Sequence, residues 1–160
     1  MNNSAETTAD ILKVAEAMRQ KGKPFPTAVI EIPNIPFSSF TELLSAIRSS
    51  SVILQRFSTH FDNNIFEMVA TRFQRNLNTL YIASAFLVPV LCFVLAFIYS
   101  WWWLVGLLVF PLALGRAKKL YNRVILSSAL SSELYFCFLY ATGQVCITTS
   151  DFEHSYYWQS

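Results

Sequence analysis

The residues of this 160-residue chain best suited to chemistry are two histidines, each with carboxylates close by in the sequence. His60 stands beside Asp62, and His154 follows Asp151 and Glu153. Groups that lie so close together along one segment give no specific signal for a metal site or an acid–base pair. We therefore interpret both histidines as surface residues and predict no catalytic residue and no metal ligand. An enzyme acting on lipid would need His154, Asp151 and a basic residue in one pocket.

The three cysteines, Cys92, Cys137 and Cys146, form no pattern that predicts a site. Their odd number and unpaired spacing indicate neither a disulfide framework nor a zinc centre. The chain has only four glycines and contains no phosphate-binding loop, dinucleotide-binding loop or nucleophile elbow. We therefore expect a protein that is not an enzyme, binds no cofactor and shows no identifiable small-molecule substrate.

Composition and charge direct attention to the middle of the chain. Hydrophobic residues make up 54% of the sequence and charged residues 14%, against about 25% charged residues in an average soluble protein. Residues 72–123 carry six basic groups and no acid, whereas residues 124–160 carry three acids and no base. The basic groups bracket an apolar segment instead of forming a basic face, which argues against binding of nucleic acid.

The apolar segment, residues 76–115, contains 40 consecutive residues without a charge. As one helix it would be about 60 Å long, about twice the thickness of a bilayer's hydrocarbon core. The sequence therefore predicts two antiparallel transmembrane helices, at 79–98 and 102–115, joined by a turn at 98–102. A re-entrant hairpin that does not fully cross the bilayer is the alternative.

Aromatic and basic residues predict how this hairpin is placed in the membrane. Tyrosine and tryptophan prefer the membrane–water interface, and cytoplasmic flanks carry an excess of Lys and Arg. The predicted interface residues are Tyr81, Tyr99, Trp101, Trp102 and Trp103. The basic flanking residues, which we also expect to contact anionic lipid, are Arg72, Arg75, Arg116, Lys118, Lys119 and Arg123. Both termini are thus predicted to be cytoplasmic, with the protein integral to a membrane such as the bacterial inner membrane.

Small residues predict how the two membrane helices pack. In lipid, small side chains on one helix face let two backbones approach closely. Such a stripe is formed on the first helix by Ala85, Pro89, Cys92 and Ala96, and on the second by Gly106 and Ala113. We expect the two stripes to face each other. The span contains no ionisable side chain, which argues against an ion channel or transporter.

The N-terminal region is predicted to be helical, with one extended segment. Helices are expected at 8–21, at 39–59 and at 63–80, the last running into the first membrane helix. The second of these helices has a plausible capping box in Ser39 and Glu42. Between the first two lies a proline-rich arm, 24–36, whose residues 27–32 favour a short strand or an extended conformation.

The C-terminal region is predicted to combine a helix with short strands. Residues 116–132 have the pattern of a basic amphipathic helix at the membrane interface. Residues 135–140 and 145–149 favour the two strands of a β-hairpin, and 155–158 a third strand. The competing interpretation is a helix that runs on to Gly143 as its C-cap.

Taken together, the sequence predicts a mainly α membrane protein with one transmembrane helical hairpin, cytoplasmic N-terminal helices and a small C-terminal β-hairpin. The expected regions are 1–75, 76–115 and 116–160. The favoured function is a non-catalytic membrane anchor or accessory subunit that binds a protein partner, or a second copy of itself, at the cytoplasmic face of the bilayer. The alternative is a membrane-shaping or lipid-sensing hairpin, which includes a secreted effector that targets a host membrane.

Overall fold

The two ends of the chain fold together, and the middle forms a separate unit. The computed structural model describes residues 3–21, 25–33, 35–57, 62–99, 101–151 and 154–158, with only the backbone at 3–7 and 101–103. Residues 1–69 and 124–160 form one compact unit, here called the terminal unit, and residues 70–123 form the other, the hairpin unit. The sequence regions at the two termini therefore contribute to one core.

The described elements are mostly helical, with one small antiparallel sheet. The α-helices are α1 (Asn3–Gln20), α2 (Phe40–Arg48), α3 (Asn63–Val69), α4 (Arg72–Ile98), α5 (Val109–Ser131) and α6 (Glu133–Ala141). Two 3₁₀ segments cover Val29–Glu31 and Trp101–Leu108. The strands are β1 (Val52–Arg56), β2 (Val145–Thr149) and β3 (Ser155–Tyr156), in the order β1-β2-β3.

Helix α6 lies at the centre of the terminal unit. Its residues 136–140 are all buried, and a helix that is apolar all round must be enclosed by other elements. Three of its rings contact aromatic residues from distant parts of the chain: Phe136 with Phe40, Phe138 with Phe25, and Tyr140 with Trp158, at centroid distances of 6.2, 6.2 and 6.3 Å. These contacts join the two ends of the chain around one helix.

The predicted β-hairpin over 135–149 is wrong in its first half, and the competing helical interpretation is the one observed. Helix α6 ends in a turn in which Gly143 N–H donates to Tyr140 O (3.0 Å) and Gln144 N–H donates to Leu139 O (2.8 Å). Gly143 has a φ of 69°, a conformation that glycine adopts without strain. Aromatic residues favour strands at half-buried positions, but complete burial inside the unit stabilises them equally well in a helix.

The predicted helix over 39–59 ends early, and a strand follows it. Ser39 caps α2 by accepting a hydrogen bond from Glu42 N–H (3.2 Å), while the Glu42 carboxylate accepts one from Ser38 N–H (2.8 Å). The helix then stops because Ser49 and Ser51 both donate their hydroxyl groups to Ala46 O at 3.0 Å, which competes with continued helix. Residues 52–56 form β1 instead, paired with β2 almost 100 positions away.

Two further predictions for the N-terminal region require correction. Residues 27–32 contain a 3₁₀ turn in place of a strand, because Thr27 N–H donates to the Glu31 carboxylate and Val29 N–H donates to Glu133 Oε1, both at 2.7 Å. The predicted helix over 63–80 is two helices, α3 and α4. Thr71 starts the second with a capping box, in which its hydroxyl and the Gln74 side chain satisfy each other's backbone N–H groups.

The hairpin unit contains α4, which is the one helix in the described part of the chain that is long and apolar enough to cross a membrane. Its return leg differs from the α-helix predicted over 102–115. Residues 101–108 form a 3₁₀ segment, and α5 begins only at Val109. Pro111 lies in the first turn of α5, where its missing N–H costs no helical hydrogen bond, whereas Pro89 lies inside α4. Helix α5 then continues to Ser131 and includes the basic helix predicted at 116–132.

Candidate functional site

The two legs of the hairpin unit are antiparallel and touch at a glycine. A Cβ placed on Gly106 would lie 2.1 Å from Cys92 Sγ and 2.9 Å from Cys92 Cβ, so only a glycine fits there. Further from the turn, the rings of Phe86 and Phe110 meet edge to face at 5.9 Å. Close backbone approach at a small residue is the packing that membrane helices use.

The structure places the predicted packing residues at or near this contact. Ala85, Cys92 and Ala113 are buried, whereas Pro89, Ala96 and Gly106 are half-buried. Cys92 and Gly106 are brought into direct contact. Ala85 and Cys92, seven residues apart, mark the buried face of α4.

The outer surface of the charge-free part of the hairpin unit, residues 76–115, is largely apolar. Only 11% of the most apolar 18-residue stretch of α4 is buried inside the structure. The exposed large apolar side chains of its charge-free part are Leu80, Phe86, Leu87, Val90, Leu91, Phe93, Val94, Phe97 and Ile98. The return leg adds Val105, Leu107, Leu108, Phe110 and Leu112. Monomeric soluble proteins rarely expose a continuous apolar surface of this kind, which marks a site of contact with lipid or protein.

The predicted interface and lipid-contact residues lie mainly on the outside of the unit. Tyr99 is exposed at the end of α4 and Tyr81 is half-buried, while the side chains of Trp101, Trp102 and Trp103 lie outside the described residues. Five of the six basic residues are exposed: Arg72, Arg116, Lys118, Lys119 and Arg123. Arg75 is half-buried and donates its Nε–H to Ala70 O at 3.0 Å. Contact of these residues with lipid stays a prediction.

A second feature, the free edge of β1, was not predicted from the sequence. Hydrogen bonds from Ser150 N–H to Ser51 O (3.1 Å) and from Phe57 N–H to Gln144 O (3.0 Å) fix the pairing of β1 with β2 at both ends. Bonded pairs alternate along an antiparallel ladder, so the even-numbered residues of β1 direct their backbone groups away from β2. No other described strand pairs with that edge.

A groove with a volume of about 270 Å³ runs beside this edge. Its lining residues are Ile47, Ser50, Val52, Ile53, Leu54, Leu126 and Leu130. Three consecutive residues of β1 line it, and neighbouring side chains of a strand point to opposite faces. The groove therefore lies along the edge of the strand and not on one face of the sheet. A run of β-branched residues after three serines was the signal for this strand in the sequence.

Only some of the groups first considered for chemistry lie among the described residues. Among the described residues, no cluster of histidine, cysteine and acidic side chains could hold a metal ion. His60 and Glu153 lie outside the described residues. His154 is exposed, and its backbone N–H donates to the Thr149 hydroxyl at 3.1 Å.

The thiols of the terminal unit, Cys137 and Cys146, are buried. Burial, followed by the nearby carboxylates of Glu133 and Glu31, raises the pKa of Cys137 to about 12. Burial also raises the pKa of Cys146. A thiol that is protonated at neutral pH is a poor nucleophile and a poor metal ligand, so these cysteines act as apolar core residues.

Comparison with protein-family models, curated proteins and solved structures finds no match. Function is therefore inferred from three features of the chain itself: the apolar hairpin, the basic residues at its base, and the open edge of β1 with its groove.

The contact between Gly106 and Cys92 predicts the first mutational result. Gly106→Ala is expected to destabilise the hairpin unit by about 1–3 kcal/mol, because the added methyl group overpacks the contact. The effect would be measured as a lower midpoint of unfolding in sodium dodecyl sulfate, followed by circular dichroism.

Two variants test whether this contact is the cause. Gly115→Ala adds the same methyl group where no described atom lies within 4 Å and should not destabilise the unit. Combining Gly106→Ala with Cys92→Gly removes the side chain that the added methyl group meets and should restore part of the loss. Equal effects of the two alanine substitutions would contradict the predicted packing.

Proposed function

We propose that this chain is a non-catalytic membrane anchor or accessory subunit, in which the hairpin unit inserts into a bilayer and the terminal unit binds a partner protein. The main observation in support of this proposal is the apolar outer surface of α4. Nine large apolar side chains of residues 76–98 are exposed. At about 0.3–0.6 kcal/mol each, their transfer to lipid favours insertion by about 3–5 kcal/mol.

The lengths of the two legs support a full crossing. The charge-free part of α4, residues 76–98, is about 35 Å long at 1.5 Å per residue. Residues 101–115 would span about 23 Å as an α-helix, but the larger rise of the 3₁₀ segment extends them to about 27 Å. Both legs thereby approach the ~30 Å hydrocarbon core. The excess of Lys and Arg at the base of the hairpin supports a cytoplasmic position for both termini, as proposed for a bacterial inner-membrane protein.

The open edge of β1 and the adjacent groove support partner binding by the terminal unit. Unpaired backbone groups along an edge strand are a template for an additional strand. An extended peptide could hydrogen-bond to the backbone of Val52 and Leu54 and place apolar side chains in the groove. A partner segment with alternating apolar residues is the occupant that fits this combination.

Co-purification from native membranes in mild detergent tests the partner hypothesis. Leu54→Lys should weaken retention of the partner by roughly ten- to hundredfold, because it removes the burial of a leucine and adds a charge at the edge. The matched control is Ile30→Lys, which makes the same change at an exposed residue outside the groove and should retain the partner. A wild-type protein that purifies as a partner-free monomer would count against binding, as would equal retention by both variants.

A membrane-shaping or lipid-sensing hairpin is the second candidate, and it includes an effector that acts on a host membrane. The observation that favours it is the unequal length of the two legs, about 35 Å and about 27 Å. A short return leg suits a wedge that enters one leaflet and turns back. Accessibility of the turn from the far side of the membrane separates the two candidates.

A further inference from the structure

One face of α5 changes from apolar to basic along its length. Leu112, Arg116, Lys119 and Arg123 follow one another at intervals of four, three and four residues, so they lie on the same helical face. All four side chains are exposed. The buried residues of the same stretch are Ala113, Ala117 and Tyr121. The three basic residues, here called the basic ladder, therefore point away from the packed interior of the hairpin unit.

The ladder is somewhat longer than a lipid headgroup layer is thick, so it reaches across the whole layer. From Arg116 to Arg123 the helix rises by about 10 Å, and each headgroup region is roughly 5–8 Å thick. The ladder begins one turn after Leu112, the last exposed large apolar side chain of this face within the hairpin unit. Under the proposed membrane insertion, on which this inference rests, the ladder stands at the level of the phosphates.

The other leg adds positive charge at the same level. The contacts of Cys92 with Gly106 and of Phe86 with Phe110 fix the antiparallel arrangement of the two legs. Followed along both helices, this arrangement brings the start of α4, with Arg72, to the level of the ladder. Residues 72–123 carry six basic groups and no acid, so no carboxylate of the unit neutralises this charge.

We propose that the basic ladder is a binding site for anionic phospholipid headgroups, with a preference for headgroups that carry two phosphates. Arginine holds phosphate through paired hydrogen bonds, and basic residues at successive levels can contact two phosphates of one lipid. Lys118 is adjacent in sequence but lies on another face of α5, so it is not part of the site.

The full-length protein in mild detergent, titrated with phosphatidylcholine, phosphatidylglycerol or cardiolipin under native mass spectrometry, tests this proposal. We expect the tightest binding for cardiolipin and the weakest for phosphatidylcholine. Each basic residue removed from the ladder should weaken binding of anionic lipid about fivefold, and the triple variant R116Q/K119Q/R123Q about a hundredfold.

Two matched controls test whether lipid binding depends on the basic ladder or only on the overall positive charge of the protein. The triple variant K13Q/K21Q/R48Q removes the same charge from exposed positions of the terminal unit and should bind lipid like the wild type. Lys119→Gln should weaken binding about fivefold, whereas Lys118→Gln on the same helix should not. Equal losses in both triple variants, or equal binding of all three lipids, would overturn the proposal.

Two further measurements are needed. The first distinguishes a lipid headgroup from a free phosphate as the ligand, and the second distinguishes failure of the basic ladder from failure of the membrane anchor. Excess inorganic phosphate or glycerophosphate should not displace bound lipid, and displacement would mean that the ladder is a free-anion site. Insertion into vesicles of phosphatidylcholine alone is scored by flotation. A protein that inserts but shows no preference for anionic lipid refutes only the ladder, whereas a protein that fails to insert refutes the membrane anchor.

Discussion

Arginine at positions 87 and 91 is expected to abolish membrane insertion of this protein. Leu87 and Leu91 lie four residues apart, so they share one face of α4 near the middle of its charge-free part. Their side chains are 69% and 58% exposed. A charged residue at the centre of a membrane helix costs about 2.5–3.5 kcal/mol, so the pair costs about 5–7 kcal/mol. This loss exceeds the few kcal/mol by which the exposed apolar residues favour insertion.

The same double substitution would have the opposite effect on a water-soluble protein. Surface substitutions away from packed contacts usually change stability by no more than about 0.5 kcal/mol, and arginine would improve solubility. The measurement is the fraction of protein that floats with liposomes after reconstitution. Leu12→Arg combined with Ile30→Arg is the matched control, because both residues are exposed in the terminal unit. If the Leu87 and Leu91 variant still floated like the wild type, the outer surface of α4 would not be in lipid.

The same preparation decides between a crossing hairpin and a wedge. Tyr99 is exposed at the end of α4, so Tyr99→Cys places a thiol at the turn. A crossing hairpin exposes this thiol to a membrane-impermeant maleimide on the side opposite the termini. Labelling from the side of the termini alone would support the membrane-shaping alternative.

Local sequence patterns predicted the hairpin unit better than the terminal unit, for a physical reason. The charge-free segment and its basic flanks are properties of consecutive residues, and the end of α4 at Ile98 follows from them. The 3₁₀ segment was missed, although Pro111 already indicated where the next helix had to begin. The apolar surface, the basic flanks and the facing stripes with Cys92 and Gly106 were thus predicted from the sequence, whereas the direct contact of these two residues needed the geometry of both legs.

The errors in the terminal unit arise where distant segments decide the conformation. Residues 52–56 were predicted as part of a helix over 39–59, but pairing with β2 makes them a strand. Residues 135–140 look like a strand, but enclosure by both ends of the chain stabilises a helix. The groove beside β1 combines α2, β1 and α5, three segments that no local pattern connects. Its prediction would have required the tertiary fold.

Raising the pH from about 9 to about 11 is expected to destabilise the terminal unit by several kcal/mol. Burial raises the pKa of Cys137 from 9.0 to about 12 and that of Tyr140 from 10.0 to about 12. Between these values the unfolded chain loses protons that the folded chain retains, so stability falls as pH rises. At 1.36 kcal/mol per pKa unit, Cys137 alone accounts for about 3 kcal/mol by pH 11, and Tyr140 for about 1 kcal/mol more.

Urea unfolding of the protein in mild detergent, followed by near-ultraviolet circular dichroism at a series of pH values, measures this loss. The sign is fixed by the direction of the shift: stability is complete below pH 9 and is lost as the pH approaches 12. Cys137→Ala leaves a cavity, so it should be less stable than the wild type at pH 8. Its stability should nevertheless fall less steeply between pH 9 and pH 11, because the titrating thiol is gone.

The comparison of slopes, and not of absolute stabilities, isolates the buried thiol. Both proteins share every other titrating group, so the difference between their slopes reports Cys137. Identical slopes would show that this thiol is accessible to water in the folded protein. Helix α6, which carries this thiol, would then be less enclosed than the burial of its residues 136–140 indicates.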